Sequence, residues 1–123
     1  METREIIVTN YFKSWLTKDA SVLEKTFAID AVYIESWGPA YKSLHHIQKW
    51  FTKWNKHNVV LQWSIKRFFH QGNVCVCEWY FQCDCRGKVS DFDGVSLIEF
   101  DKNNKISMLK EFQSKIPNRY PYE

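Results

Sequence analysis

The chain has 123 residues, which is enough for one hydrophobic core and too few for two ordinary domains. Hydrophobic residues make up 45% of it and aromatic residues 17%, a composition that excludes a disordered chain. Its formal net charge is +3, with 17 basic and 14 acidic residues mixed along the sequence, so a protein dedicated to nucleic-acid binding is disfavoured.

Residues 5–17 form the first helical pattern. Apolar side chains recur there at four-residue steps, starting with Ile7 and Tyr11, which is typical of a helix with one broad apolar face. Ser21 and Glu24 fit a capping box, in which two side chains satisfy the backbone amides at the start of a helix. A short second helix is therefore predicted.

A first strand is predicted directly after this second helix, which is expected to end near Ala28. Residues 31–35 are β-branched and aromatic, which favours a strand. Gly38 and Pro39 then mark a loop.

A third helix is predicted from Ser43, a candidate N-cap, to about His57. Its opposite face carries lysines and histidine, and we interpret that basic stripe as a solvated surface. The apolar face of the helix consists of Leu44, Ile47, Trp50, Phe51 and Trp54.

The second half of the chain predicts an antiparallel meander of four strands, because the turns between them are short. Residues 114–123 contain two prolines and are expected to form a loosely held tail. The predicted strands are residues 59–70, 74–85, 92–100 and 106–113.

Four cysteines lie on the second of these strands, where the odd-numbered residues are expected to face inward. At the rise of a strand, Cys75 and Cys83 would be roughly 26 Å apart, too far for one metal ion. Each Cys-x-Cys pair would be about 6.6 Å apart on one face, which is awkward for a disulfide. We therefore expect reduced thiols at Cys75, Cys77, Cys83 and Cys85.

Motifs for a metal or a cofactor are missing from the sequence. His45 and His46 are adjacent on a helix and point about 100° apart, and no Gly-rich phosphate loop occurs. His70, at a turn, is the histidine best placed to reach a cavity rim. No apolar run is long enough for a signal segment or a membrane span. We expect a cytoplasmic protein with no metal, no cofactor and no membrane partner.

Five short motifs follow one another along these elements: Tyr11-Phe12-x-x-Trp15, Phe27-Ala28-x-Asp30-Ala31-Val32-Tyr33, Ile47-x-x-Trp50-Phe51, Phe92-Asp93-Gly94 through Ile98-Glu99-Phe100, and Lys105-Ile106. With the order of the elements, they resemble the nuclear transport factor two-like superfamily, most closely its SnoaL-like branch. The resemblance covers residues 5–113 and implies one α+β domain over residues 1–123, with a tail from residue 114. In this fold, three N-terminal helices pack on a curved antiparallel sheet, a cystatin-like roll, and enclose a conical pocket.

The resemblance also implies a homodimer, because Val74, Val76 and Tyr80 on the other face of the sheet would otherwise expose an apolar patch. A small apolar ligand or substrate is expected in the pocket. For each aromatic residue of the pocket, plain core packing stays open as the alternative. The residues predicted to line it are Trp15, Trp37, Phe51, Trp63, Trp79, Phe81, Cys83, Asp93 and Met108.

Ketosteroid isomerase, an enzyme of this superfamily, is similar in the first half of the chain. By that resemblance, Tyr11 matches a tyrosine that donates to an oxyanion, and Glu35 matches a carboxylate that moves protons. Ser96 falls where the isomerase has a protonated aspartic acid, and a serine is a weaker donor. The candidate catalytic residues are therefore Glu35, Tyr11 and Ser96.

Three functions follow as hypotheses. The first is a cofactor-independent isomerase or lyase that acts on a small, largely apolar carbonyl compound. The second is a non-catalytic module that binds a hydrophobic ligand or a protein. The third, single-stranded nucleic-acid binding by Lys49 and Lys53 with Trp50 and Trp54, is disfavoured because these tryptophans lie on the apolar face.

Overall fold

Three helices pack on one six-stranded sheet in the computed structural model, which describes residues 2–123. This architecture confirms the predicted α+β fold. Met1, the first residue of the predicted domain, lies outside the described residues. The elements are α1 (Thr3–Thr17), α2 (Ser21–Thr26), β1 (Phe27–Ile34), β2 (Ala40–Lys42), α3 (Leu44–Asn55), β3 (Asn58–Gln71), β4 (Val74–Cys85), β5 (Lys88–Phe100) and β6 (Ile106–Lys115).

The start of α2 differs from the predicted capping box. Ser21 is the first residue of the helix and does not cap it. The Asp19 carboxylate accepts hydrogen bonds from the Ser21 backbone nitrogen at 3.1 Å and from the Ser21 hydroxyl at 2.6 Å. The helix is only six residues long, and β1 begins at Phe27, four residues earlier than expected. A carboxylate two residues before the helix start satisfies the first amide as well as a serine cap would.

The N-cap of α3 is confirmed, since the Ser43 hydroxyl accepts a hydrogen bond from the backbone nitrogen of His46 at 3.3 Å. Strand β2, just before it, was not predicted. It pairs with β1 in an antiparallel hairpin, with Tyr33 opposite Tyr41. The backbone nitrogen of Glu35 donates to the carbonyl of Pro39 at 2.9 Å and closes the hairpin turn. This turn fixes the residues that follow β1.

The strand order in the sheet is β2-β1-β6-β5-β4-β3. The last four strands form the predicted antiparallel meander, while β1 pairs with β6 in parallel. In this parallel pair Tyr33 lies opposite Leu109 and Ile34 opposite Lys110. Because the two strands run in the same direction, Glu35 comes alongside Glu111.

A bulge in β6 changes which of its residues face the core. The pairing of β5 with β6 shifts at Ser107, so Ile106 and Leu109 are both fully buried although they are three residues apart. From Leu109 onward the alternation brings Glu111 to the inner face and leaves Met108 on the outer face.

The inner face of β4 follows the predicted alternation, with Cys75, Cys77, Trp79 and Cys83 buried. Gly94 of β5 lies under the Trp79 indole, where an added Cβ would be 2.4 Å from a ring carbon. The core therefore closes around this one large side chain. Across residues 2–123, no helix combines the length and apolar character that crossing a bilayer requires.

Candidate functional site

A cavity of about 490 Å³ lies between α1, α3 and the inner face of the sheet. Its wall contains every one of the six tryptophans in the chain, together with two glutamates. Trp37, in the hairpin turn, is 71% exposed, so it covers the open side of the cavity and not its floor. The aromatic residues of the wall are Trp15, Tyr33, Trp37, Trp50, Trp54, Trp63, Trp79, Phe81 and Phe92.

Glu35 stands on the cavity wall directly after β1. It follows Tyr33 by two residues, so both side chains point to the inner face. The Tyr41 hydroxyl, on β2, donates to Glu35 Oε2 at 2.7 Å. Burial raises the pKa of the Glu35 carboxyl above its ordinary value, and the Tyr41 hydrogen bond offsets part of this effect.

Glu111 is the second carboxyl group of the wall. It lies on β6, and the Tyr33 hydroxyl donates to its Oε2. Burial raises the pKa of Glu111 to about 8, and the nearby charge of Glu35 acts in the same direction. Glu111 is therefore mostly protonated at neutral pH and can donate a proton or a hydrogen bond.

The two carboxyl groups have different environments. Glu111 is deeper in the protein and keeps its proton to a higher pH, whereas Glu35 lies in the hairpin turn and ionises first. Two titratable groups whose surroundings separate their pKa values are a common arrangement for one acid and one base. The site can thus hold a proton donor and a proton acceptor at the same pH.

Tyr11 is fully buried beneath this pair and is not part of the cavity wall. Its ring meets Phe27 edge-on with centroids 5.0 Å apart, and lies 6.2 Å from the Tyr33 ring. Within residues 2–123 its hydroxyl has no hydrogen-bond partner. Burial raises the Tyr11 pKa well above its ordinary value, and the charge of Glu111 adds to that effect.

Ser96 is also fully buried and lies outside the cavity wall. Its hydroxyl accepts a hydrogen bond from Trp79 Nε1 at 2.9 Å, so it holds the indole in position. In the β5–β6 pairing it lies opposite Glu111. Ser96 thus lies close to Glu111 in the sheet, but its hydroxyl is hydrogen-bonded to Trp79.

Six of the residues predicted to line the pocket lie on the cavity wall, and three do not. Phe51 packs in the core, with its ring 4.4 Å from that of Trp15. Asp93 points to the outer face of the sheet and pairs with Lys66 at 3.0 Å. Met108 is on that outer face because of the β6 bulge. The six on the wall are Trp15, Trp37, Trp63, Trp79, Phe81 and Cys83.

The sequence interpretation missed Glu111, and with it Tyr33 and Tyr41. Glu111 alternates with Leu109 and Gln113, a period that places it on the inner face. The signal was hidden because the bulge at Ser107 shifts the alternation within one short strand.

All four cysteines are free thiols, as expected. Burial raises the pKa of Cys75 to about 11 and that of Cys77 to about 12. Cys85 also reaches about 11, and its sulfur lies 3.0 Å from that of Cys83 on the cavity wall. A protonated thiol is a poor nucleophile, so Cys85 does not point to covalent catalysis.

His70 lies away from the cavity. Its Nε2 is 2.7 Å from Glu5 Oε2 and 3.2 Å from Glu2 Oε2, at the start of α1. Among the described residues these three form a group with metal-ligand spacing. Polar contacts of one histidine with two glutamates near the protein surface account for the arrangement.

Comparison with known proteins settles the family. The sequence model described as SnoaL-like domain matches residues 8–108. This chain belongs to the SnoaL-like domain family. No curated protein matches the SnoaL-like chain significantly.

Solved structures that resemble this SnoaL-like domain share its fold. A protein of ketosteroid isomerase-like fold from Catenulispora acidiphila, in complex with trimethylamine, has a TM-score of 0.78 at 18% identity, over 88% of this chain and 85% of its own. A candidate SnoaL-like polyketide cyclase from Shewanella denitrificans has a TM-score of 0.77 at 18% identity, over 93% of this chain and 92% of its own. An LEH-like epoxide hydrolase from M. tuberculosis has a TM-score of 0.78 at 12% identity, over 88% of this chain and 80% of its own.

Proposed function

We propose that this SnoaL-like domain binds a small, largely apolar carbonyl compound and transfers a proton on it without a cofactor, as an isomerase or a lyase. The observation that carries the proposal is the pair of carboxyl groups, Glu35 and Glu111, with separated pKa values on the wall of an aromatic cavity. A cavity of about 490 Å³ falls in the size range of small-molecule sites.

In the proposed reaction, ionised Glu35 removes a proton from the carbon beside the substrate carbonyl. The electron pair of that C–H bond forms the carbon–carbon double bond of the enolate, and the π pair of the carbonyl moves to its oxygen, which accepts a hydrogen bond from protonated Glu111. In an isomerisation, Glu35 returns its proton to another carbon. In an elimination, the enolate expels a leaving group, and Glu35 gives that group the proton.

The two other candidate catalytic residues have supporting roles in this proposal. Tyr11 packs against Tyr33, which donates to Glu111, so its buried phenol keeps the surroundings of that carboxyl apolar. Ser96 orients Trp79 through its hydrogen bond. Small-molecule chemistry is also named for relatives of this fold, among them the candidate polyketide cyclase and the epoxide hydrolase.

The test follows carbon-bound hydrogen exchange, which needs no knowledge of the product. A set of small ketones, aldehydes and enones is incubated with the protein in deuterium oxide, and deuterium uptake beside the carbonyl is measured by NMR. Glu35→Gln is expected to reduce the exchange rate by a factor of about 100 or more. Glu99→Gln, on the outer face of the sheet, is the control. Unchanged exchange in Glu35→Gln would remove that residue from the mechanism.

A second candidate is a non-catalytic binding protein, which is favoured by the concentration of all six tryptophans on the cavity wall. A ligand retained unaltered in native mass spectrometry, with no deuterium uptake on any carbonyl compound, would support it. The cytoplasmic location stays a prediction from the sequence.

A further inference from the structure

The charges around the cavity all have one sign. The chain has 17 basic residues, yet none of the 17 residues that form the cavity wall in the described part of the chain is a lysine, arginine or histidine. The ionisable acids on the wall are Glu35 and Glu111. The cavity thus has no positive group of its own to balance these carboxyl groups.

The tryptophans of the wall are also not engaged by the protein's own cations. Across residues 2–123, the three pairs of a cationic group with an aromatic ring involve Phe100, Phe69 and Phe112. None of them involves a tryptophan, although tryptophan offers the most electron-rich face for such a contact. Trp63 has one ring face stacked on Phe12, and Trp50 has one stacked on Tyr41. The parts of the indole rings that border the cavity therefore have no cation of the protein against them.

Burial makes the ionised form of Glu35 costly, because the carboxylate has lost water and has no cation beside it on the cavity wall. A bound positive charge would offset that cost. A compact, strongly hydrated primary ammonium would lose its own water on entering an aromatic cavity, whereas an alkylated ammonium is less hydrated and fits apolar rings better.

We propose that the cavity selects ligands that carry an alkylated ammonium group, with the positive charge held between the tryptophan rings and the ionised Glu35 carboxylate, while Glu111 keeps its proton. This inference rests on the proposed function in using the same cavity, and it names the class of substrate. About 490 Å³ leaves room for a carbonyl-bearing part beside the ammonium.

The test compares two probes of the same shape. Choline carries a trimethylammonium group, and 3,3-dimethylbutan-1-ol replaces its nitrogen with carbon and is neutral. Isothermal titration of the wild-type protein at pH 7.5 and low salt is expected to show choline bound at least tenfold more tightly. Equal binding, tighter binding of the neutral alcohol, or no binding of choline would each overturn the inference.

Variants locate the effect. Glu35→Gln is expected to lower the ratio of the two affinities several-fold, while Glu99→Gln leaves it unchanged. Trp37→Leu, at the exposed rim, removes one ring without disturbing the core. It is expected to weaken the binding of choline more than the binding of the alcohol. Retention of the full ratio in both cavity variants, Glu35→Gln and Trp37→Leu, would contradict the inferred site. Because the wild-type ratio is decisive by itself, a variant that fails to fold does not affect the outcome.

The two proposals fail in different ways. Deuterium exchange on a neutral carbonyl compound, without preference for choline, would overturn the ammonium inference and leave proton transfer standing. Preference for choline, without exchange on any carbonyl compound that carries a trimethylammonium group, would leave the inference standing and remove the catalytic function.

Discussion

At the scale of single residues, Glu111 is the clearest case of a side chain whose chemistry is set by its surroundings. It receives a hydrogen bond from Tyr33, lies beside Glu35 and keeps its proton to about pH 8. The charge of ionised Glu111 also raises the pKa of Tyr11 and of Tyr41, which lie nearby. The fold thus favours the neutral form of Glu111, and ionisation of Glu111 at high pH lowers the stability of the folded state.

This linkage predicts how stability depends on pH. The pKa of Glu111 is about 8 in the folded protein against an ordinary 4.5, so the folded state holds a proton that the unfolded chain releases. The contribution of Glu111 to the free energy of unfolding is therefore greatest below about pH 4.5, falls as the pH rises to about 8, and is then flat. Glu35, also raised, contributes with the same sign.

In Glu111→Gln most of this fall disappears. Urea unfolding at pH 5 and pH 8.5 is expected to show a smaller loss of stability in the variant than in the wild type. The difference should be roughly 2–4 kcal/mol, since each unit of pKa difference is worth about 1.4 kcal/mol. Parallel pH profiles for the two proteins would show that Glu111 is not held protonated by the fold.

Gly94 is a second residue whose type is set by its surroundings, because the structure leaves no room for a side chain there. A Cβ there would lie 2.4 Å from a Trp79 ring carbon and 2.6 Å from the Phe112 carbonyl oxygen, and a backbone oxygen cannot move aside easily. Gly94→Ala is expected to destabilise the protein by about 2–3 kcal/mol in urea unfolding. Asp93→Ala, one residue away in an exposed ion pair, is the control and should cost less than about 1 kcal/mol.

At the scale of elements, most helices and strands were predictable, because periodicity and turn residues are local signals. Strand β2 was not, because three residues stabilised by pairing with β1 carry little pattern of their own. The parallel pairing of β1 with β6 joins distant parts of the chain, and the Ser107 bulge reverses the facing of later residues. These features bring Glu111 to Glu35, which explains why the first carboxyl was predicted and the second was not.

The hairpin of β1 and β2 predicts a further effect on acid–base behaviour. Tyr41 donates to Glu35 and lowers the pKa of a carboxyl that burial raises. In Tyr41→Phe the Glu35 pKa is expected to rise further, measurable by NMR of labelled glutamate or as a shift of the acidic limb of the exchange profile to higher pH. Tyr80→Phe removes a similar hydrogen bond, to Asp91 on the outer face, and should leave the profile in place.

At the scale of the whole molecule, the outer face of the sheet carries apolar side chains in register. Phe69 lies opposite Val76, which lies opposite Leu97. Phe69 is 54% exposed and Phe112, on the same face, is 46% exposed. Isolated exposed apolar residues are common, but neighbours that form a continuous surface are typical of an interface.

A homodimer through this face therefore stays our prediction. Light scattering at micromolar concentration is expected to give twice the mass of one chain, and Leu97→Glu is expected to give a single chain, because a charge would be buried in an apolar contact. Lys88→Glu, at the end of β5 and away from this row, serves as the charge control. A wild-type mass of one chain would refute the dimer.

The tryptophan-lined wall has a practical consequence for spectroscopy. Since all six indoles border the same space, the ultraviolet emission of the protein reports on that space and on little else. A molecule that enters changes the surroundings of several fluorophores at once, so quenching or a shift of the emission becomes a label-free signal for screening compound collections.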